Sequence, residues 1–288
     1  MNHRLHFLLF LNLSLLSLAP SSASAAESYD NCTGTIASLP ATITTPGTWC
    51  VKQDLSTAIT TGNAITIANN NVTVDCNDFK VDGLAAGAST AAVGIFAGNR
   101  LNAIVRNCNV RGFSQGIRML GTGGGHVVED NRLDSNTFIG ILVQGDGSVV
   151  RRNQVLDTGN STTSTVAYGI STTYSVDILN NLVAGVVART GGAGSVFGIS
   201  TSADASGSIN GNRIRDLLKD GIGRAYGIYN GNSGRIVLRD NDLVGDASTG
   251  STGLFCTNAT GRAKSNVIDG FANFLISCGD AGGNDLTH

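Results

Sequence analysis

A glycine followed by an aliphatic residue recurs along this chain at regular intervals. The pairs are Gly94-Ile95, Gly116-Ile117, Gly140-Ile141, Gly169-Ile170, Gly198-Ile199, Gly227-Ile228 and Gly253-Leu254, spaced by 22, 24, 29, 29, 29 and 26 residues. A second column runs ahead of the pairs: Asn131, Asn153, Asn181, Asn212, Asn241 and Asn266, each with an aliphatic residue two places on. A period in the twenties built from short apolar segments specifies a solenoid, because a single repeat cannot bury its own apolar face and must stack on its neighbours.

Each repeat keeps one internal order. A short strand such as Val127-Val128-Glu129 comes first, then the column Asn and a second strand, as in Asn131-Arg132-Leu133. A loop of variable length follows, and then the Gly-Ile strand. The runs are too short and too β-branched for ordinary helices. Alternation is local: Val128 in and Glu129 out, Ile141 in, Leu142 out and Val143 in. The expected fold is all-β, a single-stranded right-handed parallel β-helix with an N-terminal cap. About nine rungs at ~4.8 Å give a rod on the order of 40 Å long. The Asn column is expected to tolerate left-handed bends and to bond from rung to rung, and the glycine of each pair to mark a turn into a strand. Both columns read as structural. So do the glycine-rich strings at 121–126 and 191–194, which lack the lysine and helix of a phosphate loop.

Residues 1–25 read as a secretory signal peptide. Arg4 supplies a positive charge, Leu5 to Leu18 is largely apolar, and Ala23-Ser24-Ala25 fits small-residue cleavage. Residues 26–60 read as the cap that shields the first rung, and 61–288 as the β-helix domain. Localisation is expected to be secreted or periplasmic, with no membrane span. Removing Arg4 leaves 18 basic residues against 21 acidic ones. That balance argues against nucleic acid as a partner. Six cysteines follow the signal segment, an even number that export allows to pair. Spacing pairs them locally, as Cys32–Cys50, Cys76–Cys108 and Cys256–Cys278. The last two pairs lie one rung apart with a one-residue offset, which requires a cysteine at a bend. No C-x-x-C spacing appears, so zinc is not expected.

The strings NAIVRNCNVRGFSQGIRM, GHVVEDNRLDSNTFIGILV and GRIVLRDNDLVGDASTGSTGLF resemble the repeats of the pectin-lyase-like superfamily, above all its NosD-like and orphan secreted members. VTVDCNDFKVDG is similar to the first-rung signature of many such proteins. The resemblance covers about residues 60–280. It implies the β-helix and an extended carbohydrate partner, a polysaccharide or cell-surface glycan. It carries over no catalytic residue, because the motifs of pectate lyases, polygalacturonases and mannuronan epimerases are absent.

Two surface regions are candidates for function. The first is a charged cluster on consecutive rungs, with Arg106, Arg111, Glu129, Asp130, Arg132, Asp134, Arg151 and Arg152. In a lyase an arginine there would abstract a proton beside a carboxylate, and acidic residues would hold a neutralising calcium ion. The plain alternative is a cross-strand charge ladder, with Arg106, Glu129 and Arg151 in one column and Arg111 and Asp134 in another. The second region is aromatic. Tyr168, Phe197 and Tyr226 precede Gly-Ile in successive rungs and share the parity of the buried Ile, so an internal stack is expected. Tyr229 and Phe255 follow the aliphatic residue and face out. Long loops with Arg189, Lys219, Asp220 and Arg224 would wall a groove over them. His126 stands alone and reads as a turn residue. The functional expectation is a monomer that binds, and in its enzymatic form processes, an extended acidic polysaccharide. The rival is a non-enzymatic structural or adhesive rod. No cofactor is expected apart from calcium in the lyase case.

Overall fold

The computed structural model describes residues 31–202, 206–231, 234–258 and 260–287. The expected signal segment, residues 1–25, lies outside them. The described residues form a parallel β-solenoid of three sheets, of eleven, ten and ten strands, in which every strand pairs with its equivalents one turn away. One turn runs from the first sheet (Val127–Glu129) through the Asn column to the second (Arg132–Asp134). A connection then leads to the third sheet (Ile139–Gln144), and a turn returns to the first at Ser148–Arg151. Gly34–Ile36, Ala41–Ile43 and Leu55–Ser56 already add strands to the first, third and second sheets. A short 3-10 turn lies at Leu84–Ala86. No described helix is long and apolar enough to cross a membrane.

Inward aliphatic side chains from the three sheets meet in one continuous core. Val128, Leu133 and Ile141 from a single turn are fully buried in it. At the corner between first and second sheets the Asn column is buried and linked. Asn153 Nδ2 donates to Asn181 Oδ1 at 3.0 Å and to Val128 O at 2.9 Å, and Asn181 repeats the pattern towards Asn212 and Val150. From Asn153 on, each side-chain oxygen also accepts the backbone N–H of the preceding Asn, as in Asn153 N to Asn181 Oδ1 at 2.9 Å. The side chains thus close the backbone groups that the bend would strand.

Two expectations about the columns need correction. The ladder asparagines are not themselves left-handed. The residue before each one is: Asp130, Arg152, Asn180, Gly211, Asp240 and Ser265 have φ from 53° to 67°. The repeating glycines are not left-handed either. They are required by close approach, since a Cβ on Gly140 would lie 2.3 Å from Val155 Cγ1 and 2.7 Å from the carbonyl oxygen of Gly169.

The disulfides join Cys32–Cys50, Cys76–Cys108 and Cys256–Cys278, with Cα separations of 5.8, 4.7 and 5.0 Å. Cys108 occupies the bend position ahead of the ladder, where its N–H donates to Asn131 Oδ1 at 3.0 Å.

Candidate functional site

The third sheet carries an aromatic strip, and its position differs from the expected internal stack. Tyr168 and Phe197 are half-buried and Tyr226 is buried as expected, but all three lie outside the core cluster. The cause is the repeating glycine. Register pairs Tyr226 with Thr252 and Ile228 with Leu254, while Gly227 drops out of it. Two consecutive residues, Gly and Ile, therefore face inward, and the aromatic residue before them turns out. Tyr168, Phe197 and Tyr226 stack at centroid distances of 4.8 and 5.1 Å. Tyr229 and Phe255, which do face out, stack at 5.0 Å with nearly parallel rings. Tyr226 meets both edge-on. The ring faces are thus turned mainly to one another, and solvent meets edges and hydroxyls. Burial holds the hydroxyls of Tyr168 and Tyr226 above their ordinary range, and Arg224 beside Tyr226 works the other way.

The loops expected to wall this region hold one another instead. Asp220 accepts the backbone N–H groups of Gly192 and Ala193 at 2.8 and 2.9 Å. Arg189 donates to the carbonyl of Thr162, and Lys219 to that of Gly221 at 2.7 Å. Of the four charged loop residues, Arg224 stands beside the strip, while the other three brace the loops.

The charged cluster divides across the Asn corner. On the first sheet Arg106, Glu129 and Arg151 share one column. Arg106 pairs with Asp75 at 2.8 Å, and Glu129 pairs with Arg151 at 2.6 Å and Arg152 at 3.0 Å. On the second sheet Asp134 sits between Arg111 at 3.3 Å and Arg132 at 3.5 Å. Asp130 pairs with Arg152 at 2.7 Å, which holds its carboxyl below the usual range. Each of these carboxylates is engaged by arginine, so the patch does not fit calcium. Among the described residues no cluster of three or more ligand-type side chains could hold a metal.

The second-sheet half of this cluster lines a notch in the rod. Two adjoining hollows, of about 430 and 440 Å³, share Ser135 and Asp157. Unequal connections create them. Between the second and third sheets the chain needs only residues 112–114 in one turn and 135–138 in the next. The turns on either side have long connections, 83–92 and 160–166. These project as walls and meet across the gap, where the N–H of Thr162 donates to the carbonyl of Ala88 at 3.3 Å. One hollow has an apolar wall of Leu84, Gly87 and Ala88 facing Asn160. The other opens among Lys80, Asn109, Arg111, Arg132 and Asp134. Lys80 is held from behind by Asp54 at 2.8 Å. Asp157 is exposed, and no ion pair with another described side chain occupies it. Both volumes fall in the range of ordinary small-ligand sites. Sequence reading found Arg111, Arg132 and Asp134 but missed Lys80, Asp157 and both walls. The signal available was two short connections bracketed by two long ones.

His126 is buried at the corner between the third and first sheets. Its Nδ1 accepts from Ala103 N at 3.3 Å, and its Nε2 is buried without a partner.

No family model matches the chain, and no curated protein sequence matches it. Among solved structures it is similar to the Dettilon tailspike protein, at 15% identity and TM-score 0.49, over 88% of this chain and 55% of that one. It is also similar to the tailspike of E. coli bacteriophage HK620 in complex with a pentasaccharide, at 12% identity and TM-score 0.46, over 91% and 59%. For the Agl-KA catalytic domain the values are 12% and 0.31, over 83% and 56%. The chain spans somewhat over half the length of these proteins, and at such identities the likeness transfers no residue role.

Proposed function

We propose that the protein binds a segment of an extended, anionic glycan in the notch. The observation that carries this reading is an apolar wall and a cationic mouth in one bridged cleft. A sugar ring has apolar faces and a polar rim, so Leu84 and Ala88 suit its face while Arg111, Arg132 and Lys80 suit a uronate carboxylate. Asp134 holds both guanidinium groups in place, and an arginine fork meets a carboxylate with two parallel bonds. The order of strand, Asn, strand, loop and Gly-Ile strand supports placing the chain in the pectin-lyase-like superfamily. Three disulfides and the apolar leader support export. The cleft is complete within one chain, in keeping with a monomer.

Titration calorimetry with polygalacturonate and alginate tests the reading. Replacing Arg111 and Arg132 together by Ala should weaken binding at least about tenfold, given 1.5–3 kcal/mol for a bond to a charged group. Wild-type affinity should fall as salt rises. The double variant Arg224→Ala/Tyr229→Ala, on the aromatic strip, should bind as wild type does. The reverse pattern would move the site to the strip. An unsaturated product accumulating with wild type, but not with the Arg111/Arg132 variant, would make the protein a lyase.

A further inference from the structure

Tyr174 follows the third-sheet strand Ala167–Thr173, and its backbone is left-handed, with φ 72°. The equivalent residues of the three preceding turns are Asn99, Gly121 and Gly145, at φ 51°, 99° and 122°. Asn and Gly are the residues that accept this conformation, and a bulky aromatic side chain is disfavoured in it. Among the described residues Tyr174 is the one aromatic residue with positive φ. Burying the ring does not offset this strain, since Tyr174 is 44% exposed. It overhangs a hollow of about 120 Å³ lined by Gly121, Thr122, Gly123, Gly145 and Asp146. One oxygen of Asp146 accepts the N–H of Ser175 at 3.0 Å, which fixes the carboxylate beside the ring.

The place of this hollow relative to the notch is informative. The strands Gln115–Leu120 and Ile139–Gln144 begin at the short connections that floor the notch and end at Gly121 and Gly145, which floor the hollow. They span about 20 Å. Their outer face carries Gln115, Arg118, Leu142 and Gln144. The Arg118 guanidinium lies 5.7 Å from the Phe96 ring centroid, which keeps a cation on that face midway along the path.

We infer that the Tyr174 hollow is a second sugar-ring subsite, and that the glycan crosses the third sheet from the notch to Tyr174 rather than running along the rod. The inference rests on the notch reading above. A ring would stack on the tyrosine face, and Asp146 would accept its hydroxyls. A strained aromatic side chain displayed to solvent is a binding device for which the fold gives up stability.

The test is calorimetry with oligogalacturonates of increasing length on wild type, Tyr174→Gly, Tyr174→Asn and Arg111→Ala, with melting temperatures for each. Tyr174→Gly and Tyr174→Asn both accept the left-handed backbone, so both should melt above wild type. Oligomers too short to span about 20 Å should bind them as they bind wild type. Longer ones should bind about tenfold more weakly, the loss of one stacking contact. Arg111→Ala should weaken binding at every length. Unchanged affinity of the Tyr174 variants for long oligomers, with Arg111→Ala still impaired, would overturn the subsite and leave the notch standing. An Arg111→Ala variant that binds normally at all lengths would overturn the notch, and the crossing with it. So would a wild type that binds no oligomer. Tyr174 variants that melt below wild type would overturn the strained display.

Discussion

The connections between the second and third sheets behave differently at the two ends of the rod. In the N-terminal turns, two short ones at 112–114 and 135–138 lie between long neighbours, and the long ones close over them through Ala88 and Thr162. Further along, the connections at 188–195 and 219–224 are both long and lie directly on each other. Asp220 takes two N–H groups from the earlier loop, and Ser195 Oγ accepts the N–H of Arg224 at 3.0 Å. Long loops in succession fill their own space. A site on a solenoid thus comes from a difference in length between adjacent turns, more than from length itself.

Beneath both regions runs the same Asn ladder, and breaking it should have the largest effect. The Asn181 side chain donates to Val150 O and Asn212 Oδ1, and accepts from the backbone N and side-chain Nδ2 of Asn153. Asn181→Leu removes all four bonds inside a buried corner. Each stranded buried group costs about 1–3 kcal/mol, and with partial relaxation the total should be about 3 kcal/mol. Chemical denaturation should show one transition shifted to lower denaturant. If only the C-terminal half loosened, the two regions would be separate folding units. A variant as stable as wild type would mean that the ladder bonds contribute nothing.

A matched pair of aspartates tests the difference between the regions. Asp220→Ala leaves the N–H groups of Gly192 and Ala193 without their acceptor and should cost about 1–2 kcal/mol, because both bonds are charge-assisted. Asp157→Asn in the notch keeps a residue that accepts the left-handed φ of 48°. It disturbs no bond to another side chain and should change stability by less than about 0.5 kcal/mol. Equal losses at the two sites would mean that Asp157 also braces loops, and the notch would be as closed as the C-terminal connections.

How far the sequence foretells these features depends on how local their causes are. The ladder and the disulfides follow from spacing along the chain, because residues one period apart stack whatever the loops do. The pairing of Glu129 with Arg151 and of Arg111 with Asp134 follows for the same reason. The outward turn of Tyr168, Phe197 and Tyr226 was hidden because strict alternation fails at the glycine, where two residues in a row face inward. The notch was hidden for a less local reason. Its walls at Leu84 and Asn160 lie more than seventy residues apart and meet only because the turns between them are short.

The smallest expected effect separates the same two regions by pH. At the corner before successive first-sheet strands stand Ala103, His126, Ser148, Val176, Gly207 and Ile236, so the titrating residue among them lies in the N-terminal half of the rod. Burial strips water from the imidazolium and holds the His126 pKa below its ordinary value of 6.5. Above that pH both folded and unfolded chains hold the ring neutral, and its contribution to stability is constant. As pH falls below about 6.5 the unfolded chain takes up a proton that the folded one refuses, so stability declines. The decline levels off once the folded form is protonated too. Most carboxylates titrate well below this window, so its upper part reports on the histidine. Hydrogen exchange should show the amides of 103–128 losing protection between pH 7 and 5.5, beyond the intrinsic pH effect, while those of 236–256 keep theirs. His126→Ser, which installs the residue of the next turn, should lower stability overall but abolish the pH slope. A slope that survives this substitution would assign the titration elsewhere and remove this distinction between the two ends of the rod.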